Sequence, residues 1–112
     1  MENKNITEIK DYLLTKKPLL SKYGITGIGL FGLYINGTQT PQSDIDVLID
    51  LSRPLKIGLI ELLEIENQLS NELNLKVDLV LKSDLKPAIG EKILQEVQYI
   101  WTGNITIIFR IF

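Results

Sequence analysis

The sequence predicts a single α+β domain in which a small mixed β-sheet is flanked by helices. Two hydrophobic patterns alternate along the chain: apolar runs of strand length, and segments in which apolar residues recur at helical intervals. The predicted strands cover residues 25–34, 44–51 and 75–82, and the predicted helices cover residues 7–22, 57–73 and 88–100. The pattern does not determine the order of the strands.

Length and composition bound the class of protein. The 112 residues are enough for one hydrophobic core but not for two, so residues 1–112 are treated as one domain. The net charge is −2, without a cluster of Lys and Arg, so we expect no direct binding of nucleic acid. No apolar run approaches a membrane span of roughly 18 residues, and the N-terminus has no signal-peptide core. We therefore expect a cytoplasmic protein without membrane contact.

The chain contains neither cysteine nor histidine. Their absence removes disulfides, thiol nucleophiles, zinc–thiolate sites and the commonest general base. Any chemistry performed by this chain must therefore use carboxylates and hydroxyls.

The helix predictions depend on the spacing of apolar residues and on end signals. Thr7 is a candidate N-cap for the first helix, which Pro18 or the segment 22–24 would end. Leucines at helical intervals define the second helix, with Asn74 as a plausible stop. The last helix has its apolar residues at 89, 93, 94 and 97.

The strand predictions come from apolar runs bounded by turn-forming residues. Gly27 and Gly29 lie inside the first strand, which suggests that another group passes close to it. Turn formers at 36–43 lead into the second strand. The apolar tail at 105–112 either adds an edge strand, packs into a partner, or is an aggregation hazard if left free.

Three acidic residues stand out among these strands. Asp44 and Asp46 open the second strand one residue apart, so their side chains point to the same face of the sheet. Asp78 lies inside the otherwise apolar third strand, where an unpaired acid would be costly. If the two strands are neighbours, three carboxylates converge. Oxygen ligands without nitrogen or sulfur suit Mg²⁺, which is usually completed by substrate phosphates.

A wider motif surrounds these acids, in three segments. It reads GLFGLYINGT at 29–38, PQSDIDVLI at 41–49 and VDLV at 77–80. The motif resembles that of the minimal nucleotidyltransferases of the DNA polymerase β superfamily, which serve as antitoxins beside HEPN-domain RNases. The resemblance covers about residues 25–100, and an apolar tail at 102–112 follows it.

The resemblance implies a fold, a reaction and a partner. It implies the DNA polymerase β-like nucleotidyltransferase fold and transfer of AMP from ATP to a Tyr hydroxyl of the HEPN toxin, with which the chain would form a hetero-oligomer. Asp44, Asp46 and Asp78 would be the catalytic residues and would hold two Mg²⁺ ions. Gly32, Leu33 and Ser43 would line the binding site of the triphosphate. From the residues alone, Ser43 could bind phosphate or only shape its loop, and the pattern of turn-forming residues favours the loop.

Two residues depart from the family motif. Leu33 stands where the motif has Ser, and Asn36 stands where it usually has Arg. Both changes remove contacts to the triphosphate, so we expect weakened catalysis. The alternative is a catalytically inert member of the same fold that neutralises the toxin by occluding it in a stoichiometric complex.

Overall fold

A computed structural model of the chain describes residues 5–32, 44–103 and 105–106. Within these ranges it has α1 (Ile6–Thr15), α2 (Lys17–Lys22), β1 (Ile25–Phe31), β2 (Ile45–Leu51), α3 (Leu59–Leu73), β3 (Val77–Leu81), a 3₁₀ turn (Lys82–Asp84), α4 (Pro87–Glu96), β4 (Gln98–Thr102) and β5 (Ile105–Thr106). The chain is an α+β domain, as the sequence predicts.

The described strands form one sheet in the order β3-β2-β1-β4-β5. β2 pairs with β3 in parallel, whereas β1 pairs antiparallel with both β2 and β4, and β4 pairs antiparallel with β5. The sheet is therefore mixed. The second and third predicted strands are direct neighbours. Asp78 on β3 therefore lies beside β2, which contains Asp46 and directly follows Asp44.

One face of the sheet packs against helices and forms the core. In β2, Ile45, Val47 and Ile49 belong to a buried cluster that also contains apolar residues of α1, α2 and α3. Trp101 of β4 is fully buried in the same cluster. Because alternate residues of a strand point to opposite faces, the acidic residues of β2 lie on the face away from this core.

The first predicted helix is two helices rather than one. α1 begins at Ile6, and its N-cap is Asn5, whose side chain accepts a hydrogen bond from the Glu8 backbone N–H (2.9 Å). Thr7 therefore lies inside the helix and does not cap it. α1 ends at Thr15, and α2 starts at Lys17 with a proline in its first turn, because proline lacks the N–H that a continuous helix would require there.

The prediction of a helix through residue 100 is wrong. α4 ends at Glu96, and Gln98–Thr102 form β4, which pairs with β1. Tyr99 lies opposite Gly29, and a Cβ on Gly29 would come within 2.7 Å of Val97 Cγ2. The glycine therefore makes room for this close pairing. Hydrogen bonds to β1 outweigh the local helical spacing.

The remaining boundaries differ by a few residues. α3 begins two residues later than predicted, where the Gly58 N–H donates to Glu61 Oε1 (3.0 Å), and it stops at Asn74, which adopts the left-handed conformation (φ 56°). The tail begins as an edge strand, since Ile105 and Thr106 pair with β4. Its residues 107–112 lie outside the described ranges, as do residues 33 and 34 of the first predicted strand.

Side chains of α3 cover the outer edge of β3. The Val77 N–H donates to Ser70 Oγ (2.9 Å), and the Leu79 N–H donates to Glu66 Oε2 (2.8 Å). These backbone donors would otherwise be open to pairing with another strand. The helix therefore closes this edge and holds the strand that carries Asp78 in place.

None of the helices in the described ranges is long and apolar enough to cross a membrane.

We predict that Ser70→Ala lowers the free energy of unfolding by about 1 kcal/mol, because the partly buried Val77 N–H loses its acceptor. Denaturant unfolding would measure the change. Asn67→Ala is a suitable control, since Asn67 is exposed on the same helix one turn earlier, and it should not lower stability, because alanine favours the helix. Equal stabilities of the two variants would contradict this role of Ser70.

Candidate active site

Parallel pairing of β2 and β3 brings the acidic residues together. Asp46 and Asp78 are direct register partners, and Asp44 precedes Asp46 by two residues on the same face. Asp44 lies near enough to Asp78 to raise the pKa of the Asp78 carboxyl. The side chains of Asp44 and Asp78 are 37% and 38% exposed, so they are accessible to an ion or a ligand.

Gly32 lies directly against Asp46. Phe31, the last residue of β1, pairs with Asp46, and Gly32 follows with φ +83°, a conformation that side chains other than glycine rarely adopt. A Cβ on Gly32 would overlap Asp46 Oδ2. Glycine is therefore required here both by the backbone conformation and by the space that the carboxylate occupies.

The carboxylates destabilise one another's charged forms. Burial raises the pKa of Asp46 above its ordinary value, and the charges of Asp78, Asp44 and Glu96 raise it further. Burial also raises the pKa of Asp78, as does the neighbouring Asp44, whereas the charge of Lys76 lowers it. Acidic groups that repel each other at neutral pH attract a bound cation.

Two lysines contact acids on this face of the sheet. Lys76 Nζ lies 3.8 Å from Asp44 Oδ2 and 3.9 Å from Asp78 Oδ1. Further along the sheet, Lys82 Nζ lies 3.7 Å from Asp50 Oδ2. Lys76 thus stands between two of the candidate ligands, whereas Lys82 pairs with a single acid four residues beyond Asp46.

The donor set suits magnesium. Within residues 5–32 and 44–103, no three acidic side chains stand close enough together to hold a metal ion by themselves. Mg²⁺ rarely uses an all-protein cage and is typically bound by one or two carboxylates, several waters and substrate phosphates. The carboxylates of Asp46, Asp78 and Asp44 have the donor chemistry for that mode of binding.

Sequence reasoning identified some residues of this site and missed others. Gly32 lies against Asp46, and Asp46 pairs with Asp78. Within the described residues, however, no three acids form a cluster that could hold a metal ion, so the expected convergence of all three carboxylates is not observed. Leu33 and Ser43 fall outside the described residues, so their expected contacts to phosphate stay predictions. Lys76 and Glu96 were missed. The sequence does contain an indication for Lys76, since this residue precedes Asp78 by two positions and so lies on the same face of the strand. The sequence contains no indication for Glu96, because only the turn from α4 into β4 brings its charge near Asp46.

Comparison with protein families gives a match over most of the chain. A family of nucleotidyltransferase domains matches residues 6–100. A relative in Methanocaldococcus jannaschii bears the name of a protein adenylyltransferase. It is 42% identical over 99 residues, which is 87% of this chain and 99% of the relative. The protein adenylyltransferase MntA of Thermococcus cleftensis is 38% identical over 96 residues, or 85% of this chain and 95% of the relative.

Solved structures share the fold. A toxin–antitoxin structure with AMP-PNP aligns with a TM-score of 0.69 at 24% identity, covering 85% of this chain and 74% of the other. A structure of the tri-AMPylated HEPN toxin of Shewanella oneidensis with its MNT antitoxin aligns with a TM-score of 0.64 at 18% identity, covering 86% of this chain and 71% of the other.

We predict that Asp46→Asn stabilises the metal-free protein at pH 7, because it removes a buried charge that faces other acids. Allowing for solvent screening, the gain is about 0.5 kcal/mol, or about 2–3 °C in Tm. The pKa of Asp46 is raised in the folded state, so its ionisation costs stability above that pKa, and the cost disappears as pH falls through it. The advantage of the variant should therefore shrink as pH falls from 7 toward the ordinary value of 3.8.

Thermal unfolding in the presence of a chelator would measure this effect. Asp50→Asn is the matched control, since Asp50 lies on the same strand and pairs with Lys82 rather than with acids. It should not raise Tm. A lower Tm for Asp46→Asn than for the wild-type protein would refute the repulsion.

Proposed function

The chain belongs to the nucleotidyltransferase domain family, and on that premise we propose that it is the adenylyltransferase antitoxin of a HEPN-type RNase toxin. The two relatives described above are named protein adenylyltransferases, and the alignment with this chain covers nearly the whole length of each. The observation that carries the proposal is the pairing of Asp46 with Asp78 in adjacent parallel strands, with Gly32 packed against Asp46.

The proposed reaction moves AMP from ATP to a Tyr hydroxyl of the toxin. The hydroxyl oxygen forms a bond to the α-phosphorus as the bond to pyrophosphate breaks, and Asp78 helps to take up the hydroxyl proton. Asp44, Asp46 and Asp78 would hold two Mg²⁺ ions, which neutralise charge on the phosphates and align the reacting groups. The pKa values of Asp46 and Asp78 are raised by burial first and by the neighbouring acids second, and a divalent cation would relieve the second of these effects, which supports this assignment.

The turn after β1 would contribute to binding of the triphosphate. Gly32 allows the backbone to approach closely, and the residues after it, Leu33 among them, would present backbone N–H groups. Leu33 lacks the hydroxyl that the family motif supplies at this position. A hydrogen bond to a charged group is worth about 1.5–3 kcal/mol, so we propose that nucleotide transfer is weakened by roughly one to two decades.

The partner is proposed from the complexes that share this fold. In one of them an MNT antitoxin is bound to an AMPylated HEPN toxin. We therefore propose a hetero-oligomer with a toxin of this type, in the cytoplasm, where both ATP and the RNA targets of such a toxin are present. Leu59 and Ile60 of α3 are 73% and 74% exposed, and apolar exposure of this kind also suits a module that acts by occlusion alone.

Incubation of the purified protein with a HEPN toxin, ATP and Mg²⁺ tests the proposal. We expect the intact mass of the toxin to increase by whole AMP units, and its RNase activity to fall in parallel. Asp46→Asn should abolish the mass increase, and Asp50→Asn, on the same strand, should not. Neutralisation of the toxin by both variants without any mass increase would favour occlusion over transfer.

We predict that Leu33→Ser accelerates AMP transfer about 10-fold, because the new hydroxyl restores one hydrogen bond to the triphosphate. The initial rate of toxin modification at subsaturating ATP would measure the change. Leu33→Ala is the control, since it shortens the side chain without adding a donor. A gain in Leu33→Ala as large as that in Leu33→Ser would mean that the bulk of Leu33, and not the missing hydroxyl, limits the reaction.

A further inference from the structure

Lys76 contacts both of the acids that flank the proposed metal position. Its Nζ is 3.8 Å from Asp44 Oδ2 and 3.9 Å from Asp78 Oδ1, so one ammonium group bridges two carboxylates from neighbouring strands. Its backbone is anchored in the sheet, since the Lys76 carbonyl accepts a hydrogen bond from the Ile45 N–H (2.8 Å). The position of the side chain therefore follows from the register of β2 and β3.

The side chain of Lys76 is held loosely despite these two contacts. It is 71% exposed, and its distances to the carboxylates are longer than a normal hydrogen bond. Exposed ion pairs of this kind contribute little to stability and exchange readily with other arrangements. A single ammonium on a flexible stem can move away from the acids without unfolding anything around it.

We propose that Lys76 is a built-in counter-ion that occupies the cation position between Asp44 and Asp78 and competes with the divalent metal for these carboxylates. The inference rests on the proposed use of the acids as metal ligands. Because an ammonium group and a divalent cation repel each other when both lie within a few ångströms of the same carboxylates, metal binding favours an outward position of Lys76. Lys76 thereby lowers the metal affinity of the protein without nucleotide, and makes stable metal binding depend on the phosphates of ATP.

Lys82 offers a comparison within the same sheet. It contacts Asp50 at 3.7 Å, on the same face, and the exposed fractions of the two side chains are 41% and 42%. This pair has the same chemistry as the pairs of Lys76, but it involves one acid and no candidate metal position. A general loss of positive charge from this face can therefore be separated from the loss of the bridging charge.

Binding of Mn²⁺, followed by electron paramagnetic resonance of the free ion, tests this competition without any need for turnover. We expect Lys76→Met to tighten Mn²⁺ binding by a factor of about three to ten, as one positive charge near the ligands is removed at partly screened, exposed positions. Lys82→Met should change the affinity by less than about twofold. Lys76→Arg, which retains the charge, should bind Mn²⁺ about as weakly as the wild-type protein.

Several outcomes would overturn the inference. Unchanged or weaker Mn²⁺ binding in Lys76→Met would do so, provided that circular dichroism shows a folded protein. Equal tightening in Lys82→Met would assign the effect to the general field of the surface. Absence of Mn²⁺ binding in all variants, with and without AMP-PNP, would also overturn the inference.

The inference and the proposed function fail in different measurements. Tighter Mn²⁺ binding in Lys76→Met without any AMP transfer to a toxin would leave the counter-ion role intact and reject the adenylyltransferase role. AMP transfer by the wild-type protein, together with an unchanged Mn²⁺ affinity in Lys76→Met, would support the adenylyltransferase role and reject the counter-ion role.

Discussion

The parallel pairing of β2 with β3 is the constraint on which the site depends. It sets Asp46 opposite Asp78 and leaves Asp44 two residues away on the same face, so that like charges lie near one another on that face. Burial and, after it, the neighbouring acids make the charged forms of Asp46 and Asp78 unfavourable, so the pKa values of both are raised. Packing on the opposite face supplies the compensating free energy, because Ile45, Val47 and Ile49 are almost fully buried.

Helix α3 is what makes this pairing possible in so small a domain. Within residues 5–32, 44–103 and 105–106, β3 lies at the edge of the sheet and pairs only with β2. Ser70 and Glu66 satisfy the backbone donors on its free side, and the apolar residues of α3 cover its inner face. The strand with Asp78 is thereby fixed from three directions, which keeps the acid in register with Asp46.

The sequence predicts features that depend on neighbouring residues better than features that depend on residues distant in the chain. Strand alternation and the stop of α3 at Asn74 were confirmed, whereas the predicted N-cap at Thr7 was wrong, because Asn5 caps α1. The segment 97–100 was wrongly assigned to a helix, because Gln98 and Tyr99 pair with β1, about 70 residues earlier in the chain. Lys76 was passed over for a related reason, since its contact with Asp44 depends on pairing between two strands.

The amino-acid sequence by itself determined the class of the fold and the restriction to carboxylates and hydroxyls in a chain without cysteine or histidine, because both follow from hydrophobic pattern and composition. It also determined that Asp44 and Asp46 share a face, because side chains two residues apart on a strand point the same way. Only the tertiary structure decided the order of the strands, the conversion of Gln98–Thr102 into β4 and the placement of Lys76 between two acids. These features depend on hydrogen bonds and charges between residues distant in the chain, and no local pattern encodes such pairs.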